Sequence, residues 1–82
     1  MDIKFLNSNA KLPTRGSEYA AGWDLYAGIN EKIIIPARET RKIGTGIAVS
    51  IPDGYFGALF ARSGLATKQG VRPANCVGVI DS

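Results

Sequence analysis

The sequence has 82 residues, a length that allows one small domain with a limited hydrophobic core. Ten Lys and Arg against seven Asp and Glu give a net charge of +3, with one cysteine and no histidine. The lone Cys76 excludes a disulfide framework, and its apolar surroundings predict a reduced, buried thiol in an intracellular protein. No apolar run approaches the roughly 18 residues of a transmembrane helix, and the N-terminus lacks a signal-peptide pattern, so we expect no membrane association.

The missing histidine and the modest positive charge narrow the possible chemistry. Without histidine, acid–base work falls to a carboxylate, and any metal is expected to be a hard, oxygen-bound ion such as Mg²⁺. The densest basic cluster, Arg38, Arg41 and Lys42, is interrupted by Glu39, which favours a solvated strand face. Basic residues do not interleave with aromatic ones as in nucleic-acid readers, so we expect no nucleic-acid partner. A small phosphorylated ligand accounts for the charge equally well.

Turn signals separate seven short β-prone runs along the chain. In order, they cover residues 3–6, 23–27, 32–35, 40–43, 47–51, 55–61 and 76–80. In the fifth run, Ile47, Val49 and Ile51 alternate onto one face, whereas residues 63–68 form at most one helical turn. Closely spaced short strands predict an all-β fold, as a barrel, sandwich or jelly roll, in one domain over residues 1–82 or in part of one.

The last predicted strand has no visible partner. The run at 77–80 reads as a core strand, yet only two residues follow it. Natural sheets normally cover or charge their edges. We therefore expect either a fragment or a chain that relies on other subunits.

Three segments each read as a strand that stops and leaves a polar group at its tip. Asp24 lies in the segment 21–27, Arg62, Ser63 and Gly64 lie in 61–66, and Asp81 follows 78–80. Arginine offers a fixed fork of donors, and free N–H groups at the start of a turn can point at an anion. Donors for a polyphosphate, with separate carboxylates for a metal and a water, suit phosphoanhydride hydrolysis.

Each of these residues also has a purely structural interpretation. Asp24 would be a solvent-facing residue within a strand, which the sequence alone favours. Ser63 would cap a helical turn, an interpretation compatible with anion binding because a capped N-terminus is also an anion site. Asn75 and Asp81 would be ordinary turn residues.

In order and spacing, the segments resemble the motifs of the trimeric deoxyuridine triphosphate nucleotidohydrolases, or dUTPases. Residues 21–27 look like the first motif of that family, residues 61–66 like the second, and residues 75–81 like the start of the third. The likeness runs along essentially the whole chain. It implies a distorted jelly-roll or β-prism-like domain of short strands, incomplete at its C-terminus.

The resemblance assigns metal and phosphate contacts to the first two motifs. Asp24 corresponds to the carboxylate that holds a water of the Mg²⁺ chelated by the triphosphate. Arg62, Ser63 and Gly64 correspond to the phosphate contacts. The cofactor implied is Mg²⁺ and the substrate is dUTP.

The third motif supplies the base pocket and the catalytic acid in the family. Asn75 and Gly78 correspond to substrate-binding residues, with Asn75 in the pocket that reads uracil, and Asp81 to the carboxylate that orients and deprotonates the attacking water. The implied reaction converts dUTP and water to dUMP and pyrophosphate, which limits uracil incorporation into DNA and supplies dUMP. In such a homotrimer, this chain would give Asp24 and Arg62 to one site and Asp81 to the next.

Parts of the family pattern do not occur in the chain. The tyrosine that completes the third motif, the fourth motif and the glycine-rich C-terminal arm are absent, so we expect a truncated dUTPase. Two alternatives stay open: a relative that deaminates dCTP, and a non-catalytic nucleotide-binding or assembly module. The expected location is the cytoplasm, with the nucleus or a virus-infected cell as further options.

Overall fold

The computed structural model describes residues 1–82, which divide into two compact units, residues 2–49 and residues 50–82 together with Met1. The elements in chain order are β1 (Ile3–Phe5), β2 (Ile47–Val49), β3 (Gly57–Leu59), α1 (Ser63–Gln69) and β4 (Gly78–Ile80). Four short strands and one short helix confirm the all-β class. The single domain over residues 1–82 remains a prediction.

In the unit formed by residues 2–49, the strand at the start pairs with the strand at the end. β1 pairs antiparallel with β2, with Ile3 opposite Val49 and Phe5 opposite Ile47. The Leu6 N–H continues the pairing by donating to the Gly46 carbonyl at 2.7 Å. Ile47 and Val49 are half-buried while Ala48 between them is exposed, so the predicted alternation is confirmed.

Two further backbone ties lie inside this unit. Thr14 and Asp24 form an isolated antiparallel bridge, and the Gly28 N–H donates to the Gly44 carbonyl at 2.8 Å. The predicted strand at 23–27 was therefore wrong in extent, because only Asp24 pairs. Pro13, just before the bridge, is the one buried residue of the chain.

The segment between Gly28 and Gly44 contains no strand, so the predictions at 32–35 and 40–43 were wrong. A turn does form between them, with the Glu39 N–H donating to the Pro36 carbonyl at 3.1 Å and Arg38 at φ 68°. Ile34 in this segment is 71% exposed. Strand propensity mostly reflects packing against neighbours, and without such packing β-branched residues do not order a ladder.

In the unit formed by residues 50–82, β3 and β4 form an antiparallel pair built on small-against-large contacts. Gly57 lies opposite Ile80, and Gly78 lies opposite Leu59. A Cβ atom at Gly57 would come within 3.2 Å of Ile80, and one at Gly78 within 3.1 Å of Leu59. Each glycine thus makes room for the bulky side chain across from it.

α1 connects β3 to β4 and confirms the predicted helical turn, extending it to Gln69. The helix ends at Gly70, whose φ of 69° is left-handed and whose N–H donates to the Ala66 carbonyl at 3.1 Å. A glycine there avoids the steric cost of that conformation. This helix, the only one in the chain, is neither long nor apolar enough to cross a membrane.

A tight turn precedes β4. The Cys76 N–H donates to the Pro73 carbonyl at 3.2 Å, and the Val77 N–H to the Asn75 carbonyl at 2.7 Å. Cys76 itself has φ 64°, a region that favours glycine. The prediction of a buried thiol was wrong: Cys76 is exposed, because the chain packs no hydrophobic core that could cover it.

Hydrophobic burial is incomplete throughout the chain. Apart from Pro13, no residue is buried, although 45% of the residues are hydrophobic. Tyr19 is 90% exposed and Phe60 66%. The ordered contacts are therefore mainly backbone hydrogen bonds and close glycine approaches.

Gly28→Ala is expected to destabilise the unit of residues 2–49. The added Cβ would lie 2.5 Å from the Thr45 carbonyl oxygen, a backbone atom that cannot move aside. Overpacking of this kind costs about 1–3 kcal/mol. The measurement is urea unfolding followed by Trp23 fluorescence, with Gly22→Ala as control because its Cβ would meet nothing within 4 Å. Equal unfolding midpoints for the two variants would contradict the crowding at Gly28.

Replacements of Cys76 are expected to act through its backbone conformation. Cys76→Gly relieves a left-handed residue and is expected to raise the free energy of unfolding by up to about 1 kcal/mol. Cys76→Val places a β-branched residue at the same φ and is expected to lower it by at least about 1 kcal/mol. Thermal melts of both variants and of Cys76→Ala check the order Gly, Cys, Val. If Cys76→Val is at least as stable as Cys76→Gly, the left-handed backbone does not govern stability at this position.

Candidate functional site

The seven predicted site residues fall into both units. Asp24 belongs to the unit of residues 2–49. The unit of residues 50–82 holds the other six, Arg62, Ser63, Gly64, Asn75, Gly78 and Asp81.

Asp24 is fixed by its backbone and free at its side chain. Its N–H donates to the Thr14 carbonyl at 2.6 Å, and its carbonyl accepts from the Thr14 N–H at 3.2 Å. The side chain is half-buried, and a Cβ atom on Gly16 would lie 3.7 Å from Oδ2. Because the carboxylate forms no hydrogen bond or ion pair within the chain, its oxygen atoms are available to an outside ligand.

A second set of contacts surrounds Asp24 and was not predicted. The Arg15 guanidinium lies over the Trp23 ring, 5.6 Å from its centroid, and Lys11 Nζ lies 5.7 Å from the centroid of the Tyr26 ring. Thr14 Oγ1 and the Tyr26 hydroxyl form a hydrogen bond of 2.7 Å. These partners are 8 to 15 residues apart with no periodic spacing, so the only sequence signal was two aromatic residues flanking an acid.

Arg62, Ser63 and Gly64 form the start of α1. Arg62 is the N-cap residue, with extended backbone at φ −77° and ψ 132°, and all three residues are exposed. The Ala66 N–H is the first to bond within the helix, to the Arg62 carbonyl at 2.9 Å, so the N–H groups of residues 63–65 have no helical partner. The Arg62 guanidinium likewise has no partner within the chain. One short segment thus offers several unpaired donors.

The alternative of a serine-capped helix is wrong. Ser63 is the first helical residue and not the N-cap, and the cap makes no side-chain hydrogen bond. The Ser63 carbonyl accepts from Thr67 Oγ1 at 2.7 Å, but its own hydroxyl is unpaired. The hydroxyl is therefore free to contact an anion.

Asn75 lies in the turn before β4, held by Arg72. Arg72 Nη1 donates to the Pro73 carbonyl at 3.3 Å and contacts Cys76 Sγ at 3.8 Å. The Asn75 side-chain nitrogen would be 3.8 Å from a Cβ atom on Gly78. Asn75 and Gly78 are therefore neighbours, with Leu59 packed against Gly78 from the opposite strand.

Asp81 lies at the opposite end of the β3–β4 pair from Arg62. Because the strands are antiparallel, the end of β3 that leads to Arg62 lies beside Gly78, whereas Asp81 follows Ile80, which pairs with Gly57 at the start of β3. The Asp81 side chain is exposed and unpaired within the chain. The register thus brings Arg62–Gly64 to the Asn75 end of the pair and does not bring Asp81 to the same end.

The donor set fits a metal that is held chiefly by its substrate. No group of three or more His, Cys, Asp or Glu side chains lies close enough to bind a cation by itself. A single free carboxylate such as Asp24 suits a hard ion whose remaining ligands are phosphate oxygens and waters. The residues present are compatible with Mg²⁺ on those terms.

Comparison with known proteins gives a consistent result. Residues 8–82 match the dUTPase family. The chain is 46% identical, over 99% of its length, to the deoxyuridine 5'-triphosphate nucleotidohydrolase of Yarrowia lipolytica, and 48% identical, over 95%, to that of Debaryomyces hansenii. A solved structure of a mutant Staphylococcus bacteriophage 80alpha dUTPase aligns over 98% of the chain with a TM-score of 0.83 and 37% identity.

The matched region is a part of each relative. It covers 49% of the Yarrowia protein, 47% of the Debaryomyces protein and 49% of the phage chain, so this chain spans about half their length. The structural likeness confirms the dUTPase-like all-β fold. Since the family match covers most of the chain and the motifs follow in the family's order, this chain belongs to the dUTPase family.

Proposed function

We propose that this chain takes part in the hydrolysis of dUTP to dUMP and pyrophosphate. The observation that carries the proposal is the free donor set at the start of α1, in a chain of the dUTPase family. A triphosphate is the most anionic part of dUTP. Arg62, the Ser63 hydroxyl and the unpaired N–H groups after it are the groups that would bind it.

Asp81 is the proposed general base. Its carboxylate accepts a proton from a water molecule while the water oxygen attacks the α-phosphorus. The bond from that phosphorus to the bridging oxygen breaks, and pyrophosphate leaves in line with the attack. Positioning and charge neutralisation dominate catalysis of this type. Asp81 is exposed and unpaired within the chain, so its carboxylate is free to accept a hydrogen bond from a water.

Mg²⁺ is the proposed cofactor, with Asp24 as its ligand through a water. When bound, the ion neutralises the phosphate charge and fixes the triphosphate geometry. The contribution of the chain is the free Asp24 carboxylate, which the bridge to Thr14 holds in place.

The proposed active unit is a homotrimer whose sites are shared between subunits. Arg62 and Asp81 lie at opposite ends of the β3–β4 pair. A nucleotide whose phosphates are bound by Arg62 of one copy would therefore be attacked by a water that Asp81 of another copy deprotonates. The exposed hydrophobic side chains supply surface for such association. Sedimentation of the chain with and without dUTP would test the stoichiometry.

The proposed reader of the uracil ring is the Asn75 turn. A side-chain amide can pair with a base edge, and Gly78 lies beside the Asn75 amide. Incubating the chain with dUTP or dCTP and Mg²⁺, then separating the products, tests both the substrate and the reaction. Deamination of dCTP would favour the deaminase alternative, and nucleotide binding without turnover would favour a binding module.

Since dUTP is a cellular nucleotide, the proposal includes an intracellular site of action.

Asp81→Asn is expected to lower kcat by about 10²–10⁴-fold, because a positioned general base typically contributes that much. The amide keeps the size of the side chain, so the dissociation constant for dUTP should change little. The measurement is pyrophosphate release at saturating dUTP, together with calorimetric binding of dUTP. Asp53→Asn, an exposed acid in a turn, is the control. If Asp81→Asn turns over as fast as the unmodified chain, Asp81 is not the base.

Gly64→Ala is expected to separate stability from binding. A Cβ at Gly64 would meet nothing within 4 Å, and alanine favours a helix over glycine, so unfolding should become harder by about 0.5–1 kcal/mol. The same methyl group would crowd a phosphate held against the backbone, so affinity for dUTP should fall. Thermal melts and calorimetry of one preparation measure both effects. Unchanged dUTP affinity would argue against close phosphate contact at Gly64.

A further inference from the structure

A set of side-chain and backbone contacts joins residues 11–15 to residues 20–26. It consists of two cation–π contacts, one hydroxyl–hydroxyl bond, one arginine-to-carbonyl bond and the Thr14–Asp24 bridge. These contacts fall on Trp23, Asp24 and Tyr26 and on the carbonyl of Ala20. Asp24, whose carboxylate forms no hydrogen bond or ion pair within the chain, lies in sequence between Trp23 and Tyr26.

Arg15 contacts this segment on both sides of Gly22. Its guanidinium lies over the Trp23 ring, while Nη2 donates to the Ala20 carbonyl. Between those two points lie Ala21 and Gly22, and a Cβ atom at Gly22 would meet nothing within 4 Å. Glycine permits many backbone conformations, so an external tie across it has a direct effect on the residues that follow.

Arg15 also differs from the neighbouring cation in this cluster. Lys11 contacts only the Tyr26 ring, two residues beyond Asp24. Arg15 contacts both the residue before Asp24 and the loop that leads to it, because a planar guanidinium can stack and donate at once. The Asp24 side chain itself receives no hydrogen bond, so its direction depends on how firmly its backbone is held.

We propose that Arg15 is a positioning residue for Asp24, fixing residues 20–23 so that the carboxylate stays presented toward a metal-bearing triphosphate. The proposal deepens the function proposed above and rests on its assignment of Asp24. Arg15 does not touch the reacting atoms. It acts by limiting the opening of the Thr14–Asp24 bridge.

The first test is amide hydrogen exchange in the full chain. Arg15→Gln removes the stack and the charge, and we expect the Asp24 amide to exchange about tenfold faster, as follows from losing one exposed cation–π contact and one hydrogen bond. The Gly28 amide, bonded to Gly44 in the same unit, should be unchanged. Arg41→Gln, which removes the same charge from an exposed arginine, is the matched control. Arg15→Lys keeps the cation and should restore part of the protection.

The exchange test can overturn the proposal in two ways. If the Asp24 amide exchanges at the same rate in Arg15→Gln and in the unmodified chain, Arg15 does not hold the bridge. If the Asp24 and Gly28 amides accelerate together, Arg15 stabilises the whole unit and has no specific positioning role.

The second test links Arg15 to the metal-dependent part of nucleotide binding. Calorimetry gives the ratio of dUTP affinity with Mg²⁺ to that without it, and dUMP serves as a ligand lacking the outer phosphates. Arg15→Gln should lower this ratio several-fold, with dUMP binding unchanged. In an Asp24→Asn background, Arg15→Gln should cause no further loss, because the residue it positions has been removed.

The outcomes separate this proposal from the underlying function. If Asp24→Asn leaves the Mg²⁺ ratio unchanged, the metal role of Asp24 fails, and with it the purpose given to Arg15, whatever the exchange rates show. If Asp24→Asn lowers the ratio and Arg15→Gln does not, Asp24 keeps its role and the positioning by Arg15 is overturned. Equal losses from Arg15→Gln in both backgrounds would show that Arg15 acts independently of Asp24.

Discussion

The structure depends on one constraint: the chain leaves most of its hydrophobic surface exposed and does not bury it against itself. The accessible surface is 7003 Å², whereas a folded monomer of 8.7 kDa would expose about 4,700 Å². Each β pair has two strands of three residues, a size that is marginally stable without further packing. The pairs therefore depend on apolar contacts beyond those that the chain makes with itself. A family whose members are about twice as long and, on our proposal, associate into trimers offers two sources of such contacts.

Because little hydrophobic surface is buried, local backbone features determine how the strands pair. Gly57 and Gly78 each make room for a bulky residue on the opposite strand, so their positions specify the β3–β4 register more sharply than hydrophobicity does. That register then determines where the polar ends of the strands lie. Gly78 consequently has a structural role whether or not it contacts a nucleotide. A substitution there would affect the strand pair and the Asn75 turn together.

The sequence predicted the features that neighbouring residues determine, and it failed for features that depend on residues far away in the chain. The alternation at Ile47 and Val49 and the helical turn after Arg62 were predictable because neighbouring residues determine them. The strands expected at 32–35 and 40–43 failed because β-branched residues form strands only where a partner packs on them. Cys76 was misjudged because apolar neighbours predict burial only where a core forms, and here Cys76 and the neighbouring Val77 are both exposed. The roles of Asp24, Arg62 and Asp81 came from strand-end patterns and from resemblance and stay predictions. The contacts of Arg15 had no local signal in the sequence.

The arginines differ in their hydrogen bonds in a way that the sequence does not show. Arg15 and Arg72 both donate to backbone carbonyls of their own units, so part of their donor capacity is used in holding turns. Arg62 makes no such bond, and it stands beside an unpaired serine hydroxyl and unpaired N–H groups. In water, an exposed guanidinium without a partner carries no desolvation cost, but it also contributes nothing to folding. The donors of Arg62 are therefore available to the triphosphate that we propose as its ligand, whereas Arg15 and Arg72 restrain segments of their own units.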